Sequence, residues 1–156
     1  MDAKFVLLVE TLAPKLELLL GFKPLHYGEL QRNMPQSGIY LFSENGRHLY
    51  VGRSNKLRGR HGRHCRPGAT HRQASFAFQL AREATGRMIA SYKAGLDSRA
   101  GLMEDATFRN AFNDAKSRIR LMEYRYIEES DQNRQALLEI YCAVVLGTPY
   151  NDFGTH

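Results

Sequence analysis

The chain reads as a mixed α+β domain. Three observations predict it: an early pair of short apolar strands around a tight turn, one further alternating stretch near the C-terminal third, and helical spacing elsewhere. At 156 residues the chain is long enough for one domain with a substantial core.

The elements follow in order. Phe5 to Leu20 carries apolar residues at helical spacing, interrupted at Pro14, where a second short helix can start. Gly21 to Ser37 is rich in turn residues. Gly38 to Phe42 reads as a buried strand and Arg47 to Gly52 as its return, giving a β-hairpin. Two registers are open. A two-residue Asn45-Gly46 turn pairs Glu44 with Arg47 and sends Tyr40 and Tyr50 to opposite faces, because strand side chains alternate. A three-residue loop with Gly46 in a bulge sets Tyr40 directly across from Tyr50; the reading favours this second register.

Ser54 or Asn55 can cap a helix beginning near Lys56, weakened by Gly59 and Gly62 and ended at Arg66-Pro67-Gly68. Helices are expected over Ser75–Ala84 and Gly101–Lys116, with a short helix or strand over Arg87–Lys93 between them. Arg118 to Ile127 alternates and predicts a third strand. Asp131 or Asn133 caps a final helix over Arg134–Leu146, which ends at Gly147 with Pro149 beyond.

Composition excludes several classes. No apolar run approaches a membrane span, and the N-terminus lacks the pattern of a secretory signal. Cys65 and Cys142 lie far apart in unlike contexts and form no disulfide framework, so the expected compartment is the reducing cytoplasm. The net charge is +6, and its distribution is one-sided. Between Glu44 and Glu83 there is no acidic residue, while the stretch holds Arg47, Arg53, Lys56, Arg58, Arg60, Arg63 and Arg66 among other cations. Such a block suits a phosphate backbone, with Arg53, Lys56, Arg58, Arg63 and Arg66 as candidate contacts; a solvated basic loop is the alternative.

Glu139 is the only charge in the segment from Ala136 to Leu146, whose near-continuous apolar character predicts a core helix. It is either paired with an arginine or a ligand for a hard divalent cation such as magnesium. Arg60 and His64 are one helical turn apart, so an arginine fork for phosphate and a histidine able to relay a proton can share a face; two surface residues in a basic loop is the plainer reading. Tyr40 and Tyr50 are either core aromatics or groups that position or deprotonate water, with nearby charge lowering the pKa. His61, His64, Cys65 and His71 lack the paired spacing of structural zinc sites.

In their order, these positions resemble the GIY-YIG nuclease family. The matching residues are Gly38-Ile39-Tyr40, then Tyr50-Val51-Gly52, Arg60 after a polar stretch, His64 one turn later, Glu139 on a late helix, and Asn151 within Pro149-Tyr150-Asn151. The resemblance implies an α/β sandwich of the α+β class, with a central three-stranded antiparallel sheet flanked by helices over residues 37–156. A helical extension (1–36) and a helical insert (about 69–117) are additions to it. It implies DNA phosphodiester hydrolysis with a single divalent metal, Mg2+ or Mn2+. By the same resemblance Glu139 binds the metal, Arg60 contacts the scissile phosphate, and Tyr40 or Tyr50 handles the attacking water. His64 supports proton transfer, Asn151 orders the site, and Arg53 lies near the phosphate. Target choice lies in the insert, comes from a recognition partner, or is absent because cleavage is structure-directed or poorly sequence-specific; a homodimer would allow a double-strand break. A binding module that kept the fold without cleavage, or a partner-dependent restriction-type enzyme, is the competing expectation.

Overall fold

The structure is a computed structural model that describes residues 1–87 and 98–154. The chain forms two compact units, one built from Met1–Arg60 with Met122–His156, the other from His61–Leu121.

The first unit is built on a three-stranded antiparallel sheet of order β2-β1-β3, with β1 at Gly38–Glu44, β2 at Arg47–Ser54 and β3 at Glu123–Glu128. Two helices precede it, α1 (Ala3–Glu10) and α2 (Leu12–Gly21). The break between them falls at Thr11, which puts Pro14 inside the first turn of α2, where a missing N–H costs nothing. Ile39, Leu41, Val51 and Ile127 form one face of the sheet and pack against Leu12, Leu16 and Leu19 of α2 and Leu138 and Cys142 of the last helix, α7 (Gln132–Leu146). The other face is aromatic: Tyr40, Phe42, Tyr124 and Tyr126 are all buried, and Phe42 and Tyr124 lie 5.1 Å apart by ring centroid.

The hairpin takes neither expected register. Its turn is the two-residue one, with Asn45 (φ 53°) and Gly46 (φ 77°) both left-handed and Glu44 facing Arg47. One step further in, β2 bulges: Ser43 pairs with His48 but Phe42 pairs with Tyr50, so Leu49 is the extra residue. The bulge undoes the face reversal a two-residue turn alone would cause. Tyr40 therefore lies across from Gly52 instead of Tyr50, and Tyr50 shares its face one pair along. The bulged Leu49 is buried, and its carbonyl accepts from Tyr150 N at 3.3 Å.

The expected third strand starts later than the alternating pattern suggests. Residues 118–120 belong to a helix, because the spacing Phe108, Phe112, Ala115, Ile119 continues one buried stripe to its end. The helix expected at Gly101–Lys116 is two, Arg99–Glu104 (α5) and Ala106–Arg120 (α6). Asp105 separates them in an extended conformation and caps α6 by accepting from Phe108 N at 3.1 Å. Asp131 caps α7 in the same way, and Gly147 ends it left-handed (φ 63°). The last helix is not apolar because it is enclosed: Ile140, Val144 and Val145 are exposed. The element expected over Arg87–Lys93 lies outside the described residues beyond Arg87. Among the described residues no helix is long and apolar enough to cross a membrane.

The second unit holds the end of α3 (Leu57–Cys65), then α4 (Ser75–Thr85), α5 and α6. Its core is Phe76, Phe78, Leu80, Leu102, Phe108 and Phe112. Lys116 is buried here, with its ammonium over the Phe112 ring and donating to the carbonyls of Pro67 (2.7 Å) and Ala69 (2.8 Å). His61 and Cys65 share a face of α3, with Sγ and Nδ1 3.8 Å apart. Burial lowers the His61 pKa to about 4 and raises the Cys65 thiol to about 11, so both are neutral at pH 7.

The histidine makes the fold acid-sensitive. Its folded pKa lies below the unfolded value near 6.5, so the stabilisation is complete above that pH and is lost as pH falls toward 4. Urea titrations should show wild type losing about 3 kcal/mol more than His61→Asn between pH 6.5 and 4. Parallel losses in the two proteins would refute a buried neutral histidine.

Candidate active site

The site grows from the middle strand. Tyr40 is buried, and its ring lies over Gly52 on β2. A Cβ at Gly52 would come 2.2 Å from the Tyr40 hydroxyl and ring, so only glycine leaves room. Tyr50, on the same face, has its ring centroid 6.3 Å from that of Tyr40. Arg60 reaches both tyrosines from α3: its Nε donates to the Tyr40 hydroxyl at 3.4 Å, and it hydrogen bonds Tyr50 as well.

The electrostatics of this trio run against one expectation. Burial, and then Tyr50, push the Tyr40 pKa well above the ordinary tyrosine value, and Arg60 offsets only part of that. The nearby positive charge does not lower it, because desolvation of a phenolate in the core is the larger effect. Tyr40 is therefore a neutral hydroxyl at neutral pH. Burial also works against the Arg60 charge, but Tyr40 and then Tyr50 outweigh it and leave the guanidinium more firmly protonated than usual.

Glu139 approaches from α7. Its side chain is one-fifth exposed, and Oε2 accepts from Arg53 Nε at 3.1 Å. Burial raises its pKa, with Arg53 and then Arg60 opposing. Tyr40, Tyr50, Arg60, Glu139 and Arg53 thus form one connected group drawn from β1, β2, α3 and α7. Asn151 fastens the outer edge of β2: its Oδ1 accepts from Val51 N at 2.8 Å, and its Nδ2 donates to Val51 O at 2.7 Å. Thr148 Oγ1 donates to the same Oδ1 at 2.7 Å, so the amide is held on both sides.

The remaining candidates are placed differently. His64 belongs to the second unit, where it is buried with its ring edge-on to Phe76, centroids 6.3 Å apart. Arg58 is turned to the first unit's own loop, donating to the carbonyls of Leu30 and Gln31. Lys56, Arg63 and Arg66 are exposed.

An amide cluster escaped the sequence reading. Neither Ser54 nor Asn55 bonds the first amides of α3 itself; Ser54 Oγ accepts from Lys56 N at 2.9 Å, in the turn just before the helix. Asn55 instead exchanges hydrogen bonds with Gln132 (3.0 and 2.9 Å) and accepts from Gln135 Nε2 at 3.2 Å. Gln135 is buried one turn before Glu139 and also donates to the Glu129 carbonyl at 3.0 Å, so it ties the β2–α3 junction to the helix bearing the carboxylate. The available signal was its spacing, four residues from Glu139 on one helical face.

Among the described residues no group of three or more His, Cys, Asp or Glu side chains is placed to hold a metal ion. A cation at Glu139 would have one protein carboxylate, which suits magnesium, since it keeps several waters and takes substrate oxygens. No protein-family model, curated protein or solved structure matches the chain.

Gly52→Ala should displace the Tyr40 ring or destabilise the sheet by about 1–3 kcal/mol, the usual cost of overpacking a filled core. Thermal denaturation and the Tyr40 ring resonances by NMR check this. A variant of unchanged stability and unchanged ring shifts would mean that Tyr40 does not lie on Gly52.

Proposed function

We propose that the chain is a divalent-metal-dependent endonuclease of the GIY-YIG type that hydrolyses DNA phosphodiester bonds. The observation that carries this reading is Arg60: a guanidinium bound to two tyrosine hydroxyls and within electrostatic reach of the carboxylate of Glu139. Phosphodiester hydrolysis asks for a fixed positive group at the phosphate, hydroxyls to orient water, and an anionic ligand for a cation.

In this reading Arg60 holds the scissile phosphate and stabilises the charge that develops on its oxygens. Glu139 would hold Mg2+ or Mn2+, which when bound neutralises phosphate charge and polarises the phosphoryl group. Tyr40 stays protonated, so it orients Arg60 and water by hydrogen bonding and does not take the proton. That leaves Tyr50 as the tyrosine proposed for proton removal; His64, fully buried against Phe76, has no part in this reading. Arg53 shares the Glu139 carboxylate, and Asn151 keeps β2 in place beneath the tyrosines. One such site per chain cuts one strand; a double-strand break requires a second copy or a second visit. Lys56, Arg63 and Arg66 are the proposed backbone contacts. Arg58 is a weaker choice because its guanidinium is bound to Leu30 and Gln31. In the insert, Arg87 pairs with Asp105 and Arg82 and Arg99 lie over Phe78, so those arginines serve the insert itself. A cytoplasmic location accords with this function.

The deciding experiment is nicking of supercoiled plasmid by the purified chain with magnesium or manganese, beside EDTA and Glu139→Ala. Relaxed circles are expected from wild type with metal alone. A folded wild type that binds DNA and leaves it supercoiled would favour the binding module. Arg60→Ala should lower the nicking rate by about 100-fold or more while keeping most of the DNA affinity; equal losses in both would make Arg60 a docking residue. Affinity for duplex DNA in EDTA should fall steeply as salt rises, as counterion release requires when several phosphates are contacted. A flat response would exclude the basic stretch as the DNA surface.

A further inference from the structure

The first unit holds a cavity of about 440 Å³ at the outer edge of β3, far enough along the sheet to involve none of the residues assigned above. Its walls are Leu18, Phe22, Met34 and Pro35, and its rim carries the amide side chains of Gln31 and Asn33. The volume falls in the range of small-ligand sites, and the pattern of an apolar wall with few polar groups is the usual one.

The cavity floor is an interrupted strand edge. Tyr124 gives both its N–H and its C=O to Leu25, at 2.8 Å each, so its peptide groups point outward from the sheet. Strand alternation points those of Tyr126 and Glu128 the same way. Further along, Glu129 N donates to Ser37 O at 3.0 Å, and Lys15 Nζ donates to Glu128 O at 3.0 Å. The segment from Leu25 to Ser37 therefore grips β3 at both ends and bows away between them. Among the described residues nothing pairs with the edge N–H and C=O of Tyr126, or with the side-chain amides of Gln31 and Asn33. The free edge is too short to add a peptide strand, since Leu25 and Ser37 close it on either side.

We propose that this cavity binds an uncharged nucleobase. A planar heteroaromatic ring needs a face to stack on and a donor beside an acceptor at its edge. Phe22, which rests on Tyr126 with centroids 4.5 Å apart, supplies the first; the Tyr126 peptide edge and the two amides supply the second. Of the charged lining residues, Lys15 is paired with Glu129 at 3.5 Å and Glu128 is a carboxylate, so the site offers no free cation to a phosphate or carboxylate. The rim is fastened to α3: Arg58 donates to the Leu30 and Gln31 carbonyls, and Leu57 N donates to Gln36 O at 2.9 Å. A base in the cavity thus orders the loop that braces the helix carrying Arg60. That the base belongs to an unpaired position of a nucleic-acid strand rests on the endonuclease reading; the cavity itself does not.

The test uses the full chain in EDTA, with two probes. Free adenosine, guanosine, cytidine and thymidine are titrated by NMR, following Phe22, Met34 and Tyr126. In parallel, a duplex with one bulged 2-aminopurine is compared with its fully paired counterpart. Saturable shifts at those three residues are expected with at least one nucleoside. The bulged duplex should bind about tenfold tighter than the paired one, with quenched 2-aminopurine fluorescence. Gln31→Ala/Asn33→Ala, at two exposed positions, should remove both the nucleoside shifts and the bulge preference and leave paired-duplex binding unchanged. No nucleoside shifts, or a preference that survives in the double variant, overturns the proposal even if plasmid nicking succeeds. Nucleoside binding by a chain that neither binds nor nicks DNA keeps the base pocket and overturns the endonuclease reading.

Discussion

A tyrosine on the middle strand of a sheet has both faces of its neighbourhood already spoken for, and Tyr40 is held in that position with its hydroxyl buried. A hydroxyl there must find a partner or cost about 1–3 kcal/mol. The partner is Arg60, and the path to it runs over Gly52, where no side chain can stand. Much of the unit follows from that contact. Tyr50 reaches the same guanidinium only because the bulge at Leu49 returns it to the Tyr40 face. The bulge leaves a backbone carbonyl on the outer edge of β2, and the segment after α7 answers it with Tyr150, then holds Val51 with Asn151. The two edges of the sheet are met by different means, a side-chain amide on β2 and the backbone of Leu25 at one end of β3.

The sequence carried the strands and helices well wherever a single local cause governs them. The hairpin forms where Asn45-Gly46 places it, though with the two-residue turn and not the favoured three-residue loop, and Asp131 and Gly147 mark the ends of α7 through caps that act within one turn. The failures come where a distant contact decides. The bulge at Leu49 is stabilised by Tyr150, about a hundred positions away in the chain, and no local pattern announces it. Alternation from Arg118 suggested strand, but the stripe through Ile119 belongs to the helix that buries it. In the site, the positions that stand out by residue type (Tyr40, Arg60, Glu139) do come together. Their electrostatics could not be read, because the Tyr40 pKa depends on how completely its ring is enclosed. The Arg53–Glu139 pair and the Gln135 tie have the same origin: each joins elements that only the tertiary fold makes neighbours.

Glu139 shows how a site and its scaffold can conflict. A carboxylate on a helix whose inward side is Leu138 and Cys142 loses hydration, and its raised pKa is the record of that loss. Arg53 returns part of it. A carboxylate perturbed by burial and held by an arginine fits the metal-ligand role proposed for it. The outward side of the same helix, with Ile140, Val144 and Val145 exposed, has no such tension, only an apolar strip open to solvent.

The division of the chain also bears on the order in which it can fold. The unit from His61 to Leu121 is continuous in sequence, and its helices meet neighbours close along the chain. The sheet is not: β1 pairs at once with β2, but its other side waits for β3, which follows the entire inserted unit. Closing so long a connection costs entropy that grows only slowly with length, yet such non-local pairings form late. Until β3 pairs, one edge of β1 in the hairpin is bare, and Tyr40 lacks the neighbours that Tyr124 and Tyr126 provide.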